Sequence, residues 1–195
     1  MNYGLDLKTL FALLRIKHYI KNLLVFIPLI FSYQLFNAKL LIVTIWGYFA
    51  FCFLASGIYI VNDLKDVHKD RLHPKKQYRP IASGKIRPLV ARIMIFFCVV
   101  LSIICNLMTG SLIGLLFLVT YFFMNIGYSY GLKNVPIIDI IILTVGFILR
   151  VVYGASLVEI PVSSWLYLTI IVISLFMGLG KRRNELAAVN PREGG

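Results

Sequence analysis

Four oxygen-bearing side chains recur at helical spacing in one stretch of the chain: Asn62, Asp63, Asp66 and Asp70. Three of the chain's eight acidic residues are among them. On a continuous helix turning about 100° per residue, all four fall within an arc of about 100°, while Leu64 and Val67 point away. Carboxylates held this close raise each other's pKa unless a cation lies between them. Magnesium suits such a set, because it takes few carboxylates, keeps waters and shares its remaining positions with substrate phosphates. All four residues are therefore candidate metal ligands.

The basic residues that follow extend this chemistry. Lys75, Lys76, Arg79, Lys85 and Arg87 can neutralise phosphate charge that a metal leaves uncovered, arginine by two-point contact. Pro74, Pro80, Ser83 and Gly84 exclude a continuous helix there, so a shaped loop able to close over a ligand is expected. The bland alternative is a solvated loop of mixed charge. Against it, like charges one helical turn apart destabilise a helix that has no ligand to reconcile them. The stretch reads as a site for a metal-bound diphosphate.

The elements that must position this site are apolar. The chain has 195 residues, 59% hydrophobic and 14% charged, with a mean hydropathy of +0.85; a soluble domain is about half apolar and about a quarter charged. Lipid is thus its main solvent, and the bilayer its first partner. The net charge of +12 sits beside apolar segments, which points to anionic headgroups and phosphorylated substrates and away from nucleic acid. The expected fold class is all-α, a polytopic transmembrane helical bundle forming one integral-membrane domain over residues 1–195. Six apolar segments, Leu23–Phe36, Leu40–Ile60, Leu89–Leu107, Ser111–Ser129, Pro136–Gly154 and Trp165–Gly180, are read as spans of a hydrocarbon core about 30 Å thick. Pro28 is expected to kink the first. Residues Thr9 to Lys21 form a basic amphipathic segment suited to the membrane interface. Cys52, Cys98 and Cys105 have no C-x-x-C spacing and read as buried free thiols. No removable signal peptide is expected at the start.

Charge in the loops orients the bundle. Arg15, Lys17 and Lys21 precede the first segment, Lys65 to Arg92 separate the second from the third, Lys133 lies between the fourth and fifth, and Lys181, Arg182 and Arg183 follow the sixth. The other connections contain only Lys39. This alternation places the N-terminus and the Asn62 stretch in the cytoplasm, with the site recessed into the bundle. Asp139 and Arg150 are ionisable groups inside a span, where such groups are costly and often functional. Asp139 is near the cytoplasmic end, in reach of a sugar hydroxyl or the metal site. Arg150 lies about three turns deeper and is expected to hydrogen-bond a neighbouring helix, with Gly146 and Gly154 allowing close packing. His18, His68 and His73 show no zinc-ligand spacing.

The motif Asn62-Asp63-x-x-Asp66-x-x-x-Asp70, followed by Tyr78-Arg79-Pro80-Ile81-Ala82-Ser83-Gly84, resembles the first aspartate motif of the UbiA intramembrane prenyltransferase superfamily. Three more stretches resemble its polyprenyl-phosphate phosphoribosyltransferase branch, the decaprenylphosphoryl-5-phosphoribose synthase type. They are Leu14-Arg15-Ile16-Lys17 through Lys21-Asn22-Leu23; Tyr128-Ser129-Tyr130-Gly131-Leu132-Lys133 with Asp139 and Gly146-Phe147-Ile148-Leu149-Arg150; and Gly180-Lys181-Arg182-Arg183-Asn184-Glu185-Leu186. The resemblance implies Mg2+-dependent transfer of 5-phosphoribose from phosphoribosyl pyrophosphate to a polyprenyl phosphate lipid, at the cytoplasmic face of a bacterial plasma membrane and in cell-wall biosynthesis. It implies Asp66 and Asp70 as the catalytic pair holding metal with Asn62 and Asp63. It implies Lys17, Lys21, Lys75, Arg79, Tyr128, Lys133, Asp139, Lys181 and Arg182 as substrate-binding residues.

Aromatic prenyltransferases of the superfamily resemble one another in a second aspartate motif after the sixth span. Here Lys181, Arg182, Arg183 and Glu185 stand in its place, which favours two phosphorylated substrates over an allylic diphosphate and an aromatic acid. Aromatic prenyl transfer remains the alternative, and a non-enzymatic membrane protein or an inactive fragment the second. The resemblance also implies nine spans and close to 300 residues, so a chain incomplete at the C-terminus is expected. A homo-oligomer is left open.

Overall fold

Asn37 opens the helix on which the rest is built. Its side chain accepts the Leu40 N–H at 3.4 Å and caps α3, Ala38–Lys65, which runs for 28 residues. Almost every position from Ala50 to Ile60 is buried, so this half of the helix is covered on all sides and reads apolar all round, as a central segment must. A computed structural model describes residues 6–132 and 135–189. Among the described residues all the regular structure is helical, in the order α1 (Leu7–Leu14), a 3-10 helix (Ile16–Phe26), α2 (Ile27–Phe31), α3, α4 (Val67–Leu72), a short 3-10 turn (Lys76–Tyr78), α5 (Pro88–Leu107), α6 (Leu112–Ser129), α7 (Pro136–Val158) and α8 (Ser164–Val189).

Local chemistry sets the boundaries. Asp6 caps α1 by accepting the Thr9 N–H at 2.9 Å, and Ser111 caps α6 by accepting the Gly114 N–H at 3.0 Å. Pro88 and Pro136 stand in the first turns of α5 and α7, where a missing N–H costs nothing. Five helices, α3 and α5 to α8, are long and apolar enough to cross a membrane, which makes this an all-α integral membrane bundle.

The first expected span differs. Leu23–Phe36 is not one kinked helix: the 3-10 helix ends at Phe26, and Pro28 sits in the first turn of the separate five-residue α2. Proline cannot donate into a continuing ladder, so it starts a helix here instead of bending one. The chain then turns at Tyr33, whose φ is 59°.

Gly154 explains how the 3-10 helix is held. A Cβ at that position would stand 2.0 Å from the Val25 carbonyl oxygen, so the absent side chain lets the segment lie directly on α7. The aromatic centre of the bundle is Phe51, with ring centroids 4.9 Å from Tyr121 and 5.1 Å from Tyr153. Polar groups inside are matched: Ser102 donates to the Ala50 carbonyl at 2.8 Å, and Tyr153 to Asn106 Oδ1 at 3.0 Å.

Candidate active site

At one end of the bundle the 3-10 helix, the α3–α4 junction, the loop after α4 and the ends of α6, α7 and α8 surround a cavity of about 580 Å3. Asn62, Asp66 and Asp70 line one side of it. Helix α3 stops at Lys65 and α4 starts at Val67, with Asp66 between them at φ −90° and ψ 8°. Helical bonding nevertheless carries across the break, since Asp66 N–H reaches the Asn62 carbonyl at 2.9 Å and Asp70 N–H the Asp66 carbonyl at 2.8 Å. The i, i+4, i+8 register therefore survives and turns the three side chains to one wall. The Asn62 side chain is tied to the Ser129 hydroxyl at the end of α6.

Asp63, at the edge of the same arc, does not line the cavity. It is 2% exposed and forms ion pairs with Arg15 and Arg79. Arg79 Nη1 reaches both Asp63 Oδ1, at 3.1 Å, and Asp70 Oδ2, at 2.7 Å. Arg15 is held in the left-handed region at φ 52°, an uncommon state for a residue with a side chain. It ends α1, starts the 3-10 helix and carries its guanidinium onto Asp63 and over the Tyr59 ring, 4.8 Å from the centroid. The loop expected after α4 is present, with its tight turn at Gly84, φ 77°. Arg71 braces it by donating to the Ala82 carbonyl at 3.1 Å.

The facing wall joins α6, α7 and α8. Asp139, 2% exposed, accepts from the Tyr128 hydroxyl at 2.7 Å and from Lys181 Nζ at 2.9 and 3.0 Å. Deeper in, Arg150 is 6% exposed and donates to Asn22 Oδ1 at 2.8 Å, the Gly146 carbonyl at 2.5 Å and the Tyr121 hydroxyl at 2.7 Å. The expected hydrogen bond from Arg150 to a neighbouring element is thus present, and the residue also lines the cavity.

Of the residues singled out from sequence, Asn62, Asp66, Asp70, Lys21, Arg79, Tyr128, Asp139 and Lys181 share this one cavity. Lys17 and Lys75 are exposed and outside its lining, Arg182 is half-buried and also outside it, and Lys133 lies outside the described residues. On the loop it is Lys76, the neighbour of Lys75, that lines the cavity, joined by Lys69. His18, Tyr59, Tyr121 and Asn125 are lining residues that the motifs did not signal. The i, i+4 relation of Tyr121 to Asn125 on an otherwise apolar helix was the one available hint. Partial burial, and then the charges of Lys21, Arg15 and Arg79, lower the His18 pKa below its usual 6.5. Lys21 is likewise lowered, first by burial and then by the Arg150 and Lys181 charges. Among the described residues no three His, Cys, Asp or Glu side chains are grouped to hold a metal ion by themselves. The oxygen donors on the acidic wall are one amide and two carboxylates.

Comparison with known proteins gives the chain its relatives. The chain is 38% identical over 176 residues to a decaprenyl-phosphate phosphoribosyltransferase of Corynebacterium glutamicum, covering 89% of this chain and 53% of that protein. Proteins of the same name from Mycolicibacterium smegmatis and Mycobacterium tuberculosis are 34% and 30% identical, each over 72% of this chain and 44% and 46% of their own length. The chain thus spans about half the length of the curated relatives it matches. The profile of the UbiA prenyltransferase family matches residues 23–184, and the chain belongs to that family.

Proposed function

We propose that the protein transfers 5-phosphoribose from phosphoribosyl pyrophosphate to a polyprenyl phosphate in the membrane, releasing pyrophosphate. One observation carries this reading: Asn62, Asp66 and Asp70 face a cavity whose other charged lining residues are cations apart from Asp139, which is already paired with Lys181. Such a cavity suits polyanions. The names of the relatives from Corynebacterium and the mycobacteria support the choice of donor and acceptor. The alternation of basic loops supports a cytoplasmic mouth.

The donor set fits Mg2+. Two carboxylates and an amide oxygen on one wall leave the remaining octahedral positions for water and phosphate oxygens. Asn62, Asp66 and Asp70 would hold the ion, which would supply positive charge to the departing pyrophosphate. Asp63 has a different task in this reading. It anchors Arg15 and Arg79, so that Arg79 is aimed along the acidic wall where diphosphate oxygens must lie. Lys69 and Lys76 add charge at the same side.

The reaction needs little proton chemistry. An ionised phosphate oxygen of the acceptor attacks the anomeric carbon, a carbon–oxygen bond forms, and the bond from that carbon to pyrophosphate breaks. The transition state has oxocarbenium character, so the task of the residues is to align the acceptor and stabilise the leaving charge. Asp139 holds Tyr128 and Lys181 together, which places a phenol oxygen and an ammonium where they can contact the ribose hydroxyls. Membranes containing the protein, given labelled phosphoribosyl pyrophosphate and polyprenyl phosphate, are expected to yield a labelled lipid. Prenylation of 4-hydroxybenzoate from a polyprenyl diphosphate, with no labelled lipid, would overturn the proposal.

A further inference from the structure

Arg150 is a buried charge that forms no ion pair among the described residues. Its three bonded nitrogens all reach neutral acceptors: an amide oxygen, a backbone carbonyl and a phenol. Among the described residues no carboxylate pairs with it. Three nearby acids pair with other cations: Asp63 with Arg15 and Arg79, Asp70 with Arg79, and Asp139 with Lys181. Ring faces of Tyr121, Phe51 and Phe147, with centroids 4.8, 5.3 and 5.9 Å from Arg150 Cζ, offset part of the cost. They do not replace an anion, because an isolated buried charge is expensive.

The arrangement is also built rather than incidental. Asn22, 1% exposed, donates from Nδ2 to Cys52 Sγ at 3.2 Å, which keeps its Oδ1 on Arg150 Nε. A guanidinium carries five N–H groups, and the three bonds leave one on each Nη. These are charged donors of the kind that phosphate oxygens accept. Lys21 opens on the same cavity.

We propose that Arg150 and Lys21 form a second anion site, at the floor of the cavity, that takes a phosphate monoester separate from the diphosphate on the acidic wall. This rests on the transferase reading above and deepens it. The wall needs a cation before it can accept phosphate; the floor, lined by cations, does not. Two sources supply a monoester: the 5-phosphate of the donor and the phosphate of the lipid acceptor.

The test measures binding to the full chain in lipid nanodiscs, with ribose 5-phosphate, polyprenyl phosphate and magnesium pyrophosphate as three separate probes. Arg150→Gln and Lys21→Met are each expected to weaken at least one monoester about tenfold or more while changing magnesium pyrophosphate less than about twofold. Loss confined to ribose 5-phosphate assigns the floor to the donor, and loss confined to polyprenyl phosphate assigns it to the acceptor; either supports the site. Lys21 is exposed to the cavity, so its variant reports even where Arg150→Gln fails to fold. Monoester binding without magnesium is expected in the unmodified protein. Wild-type affinity of the Lys21→Met protein for both monoesters would overturn the proposal. Asp66→Asn should do the reverse, weakening magnesium pyrophosphate alone; if it does not, the donor reading fails separately from the floor site.

Discussion

Arg79 holds Asp70 by a contact of 2.7 Å between Nη1 and Oδ2. The same carboxylate is a proposed metal ligand, so cation and arginine share it. Without ligand, Arg79 is the charge that allows Asp63 and Asp70 to be buried together. Arg79→Ala leaves Asp63 to Arg15 alone and takes from Asp70 its Arg79 partner, and is expected to destabilise the fold by about 1–3 kcal/mol, the cost of unpaired buried polar groups. Magnesium should restore part of that loss. Thermal melts of wild type and variant in detergent, with and without Mg2+, check this: the ion should raise the variant's Tm by more than it raises the wild type's.

Asp139 of α7 fixes Tyr128 of α6 and Lys181 of α8 together. Asp139→Asn keeps the shape but removes the charge that orients the ammonium. It is expected to lower kcat/KM for transfer about tenfold or more, as charge-assisted hydrogen bonds of this kind are worth about 1.5–3 kcal/mol. Circular dichroism should show helix content unchanged.

Gly154 lies where a Cβ would meet the Val25 carbonyl oxygen at 2.0 Å. Backbone cannot yield as a flexible side chain does, so Gly154→Ala must push the 3-10 helix off α7. Destabilisation at the upper end of the overpacking range, about 3 kcal/mol, is expected. Because Asn22 and Lys21 ride on the same segment, affinity for phosphate ligands should fall with it. A Tm scan together with a phosphate-ligand titration of this variant checks both effects.

Much of the site was legible because its register is helical. Asn62, Asp66 and Asp70 could be placed on one face from spacing alone, and the short break at Asp66 left that intact. Asp63 shows where spacing runs out. It shares the arc, but Arg15 and Arg79 capture it, and Arg15 arrives through a left-handed backbone turn 48 positions earlier, which no local pattern encodes. Lys75 and Lys76 illustrate a second limit: neighbours in a loop point apart, and only the 3-10 turn at Lys76–Tyr78 decides which one faces the cavity. The apolar runs revealed five spans through length. The first differs from the expected kinked span because hydropathy does not distinguish a 3-10 segment followed by a proline-started turn from a continuous α-helix.

His18 lies with its ring 5.5 Å from that of Tyr59, facing Lys21, Arg15 and Arg79. Its lowered pKa fixes the sign of a pH effect. As pH falls below about 6.5, the unfolded chain takes up a proton before the folded one does, so this residue's contribution to stability is present at neutral pH and lost on acidification. His18→Gln should flatten the stability profile between pH 7 and pH 5, roughly the range over which histidine titrates. Chemical denaturation across that range in detergent measures it.

In the proposed reaction the ribosyl group and the pyrophosphate part company in this cavity. A donor labelled both in the ribose carbons and in the β-phosphate tests it most directly, with polyprenyl phosphate and Mg2+ supplied to membranes containing the protein. The expected result is ribose label in the lipid phase and an equal amount of β-phosphate label in water as pyrophosphate, with both signals lost in Asp66→Asn. Both labels remaining in water, or both entering the lipid together, would contradict it.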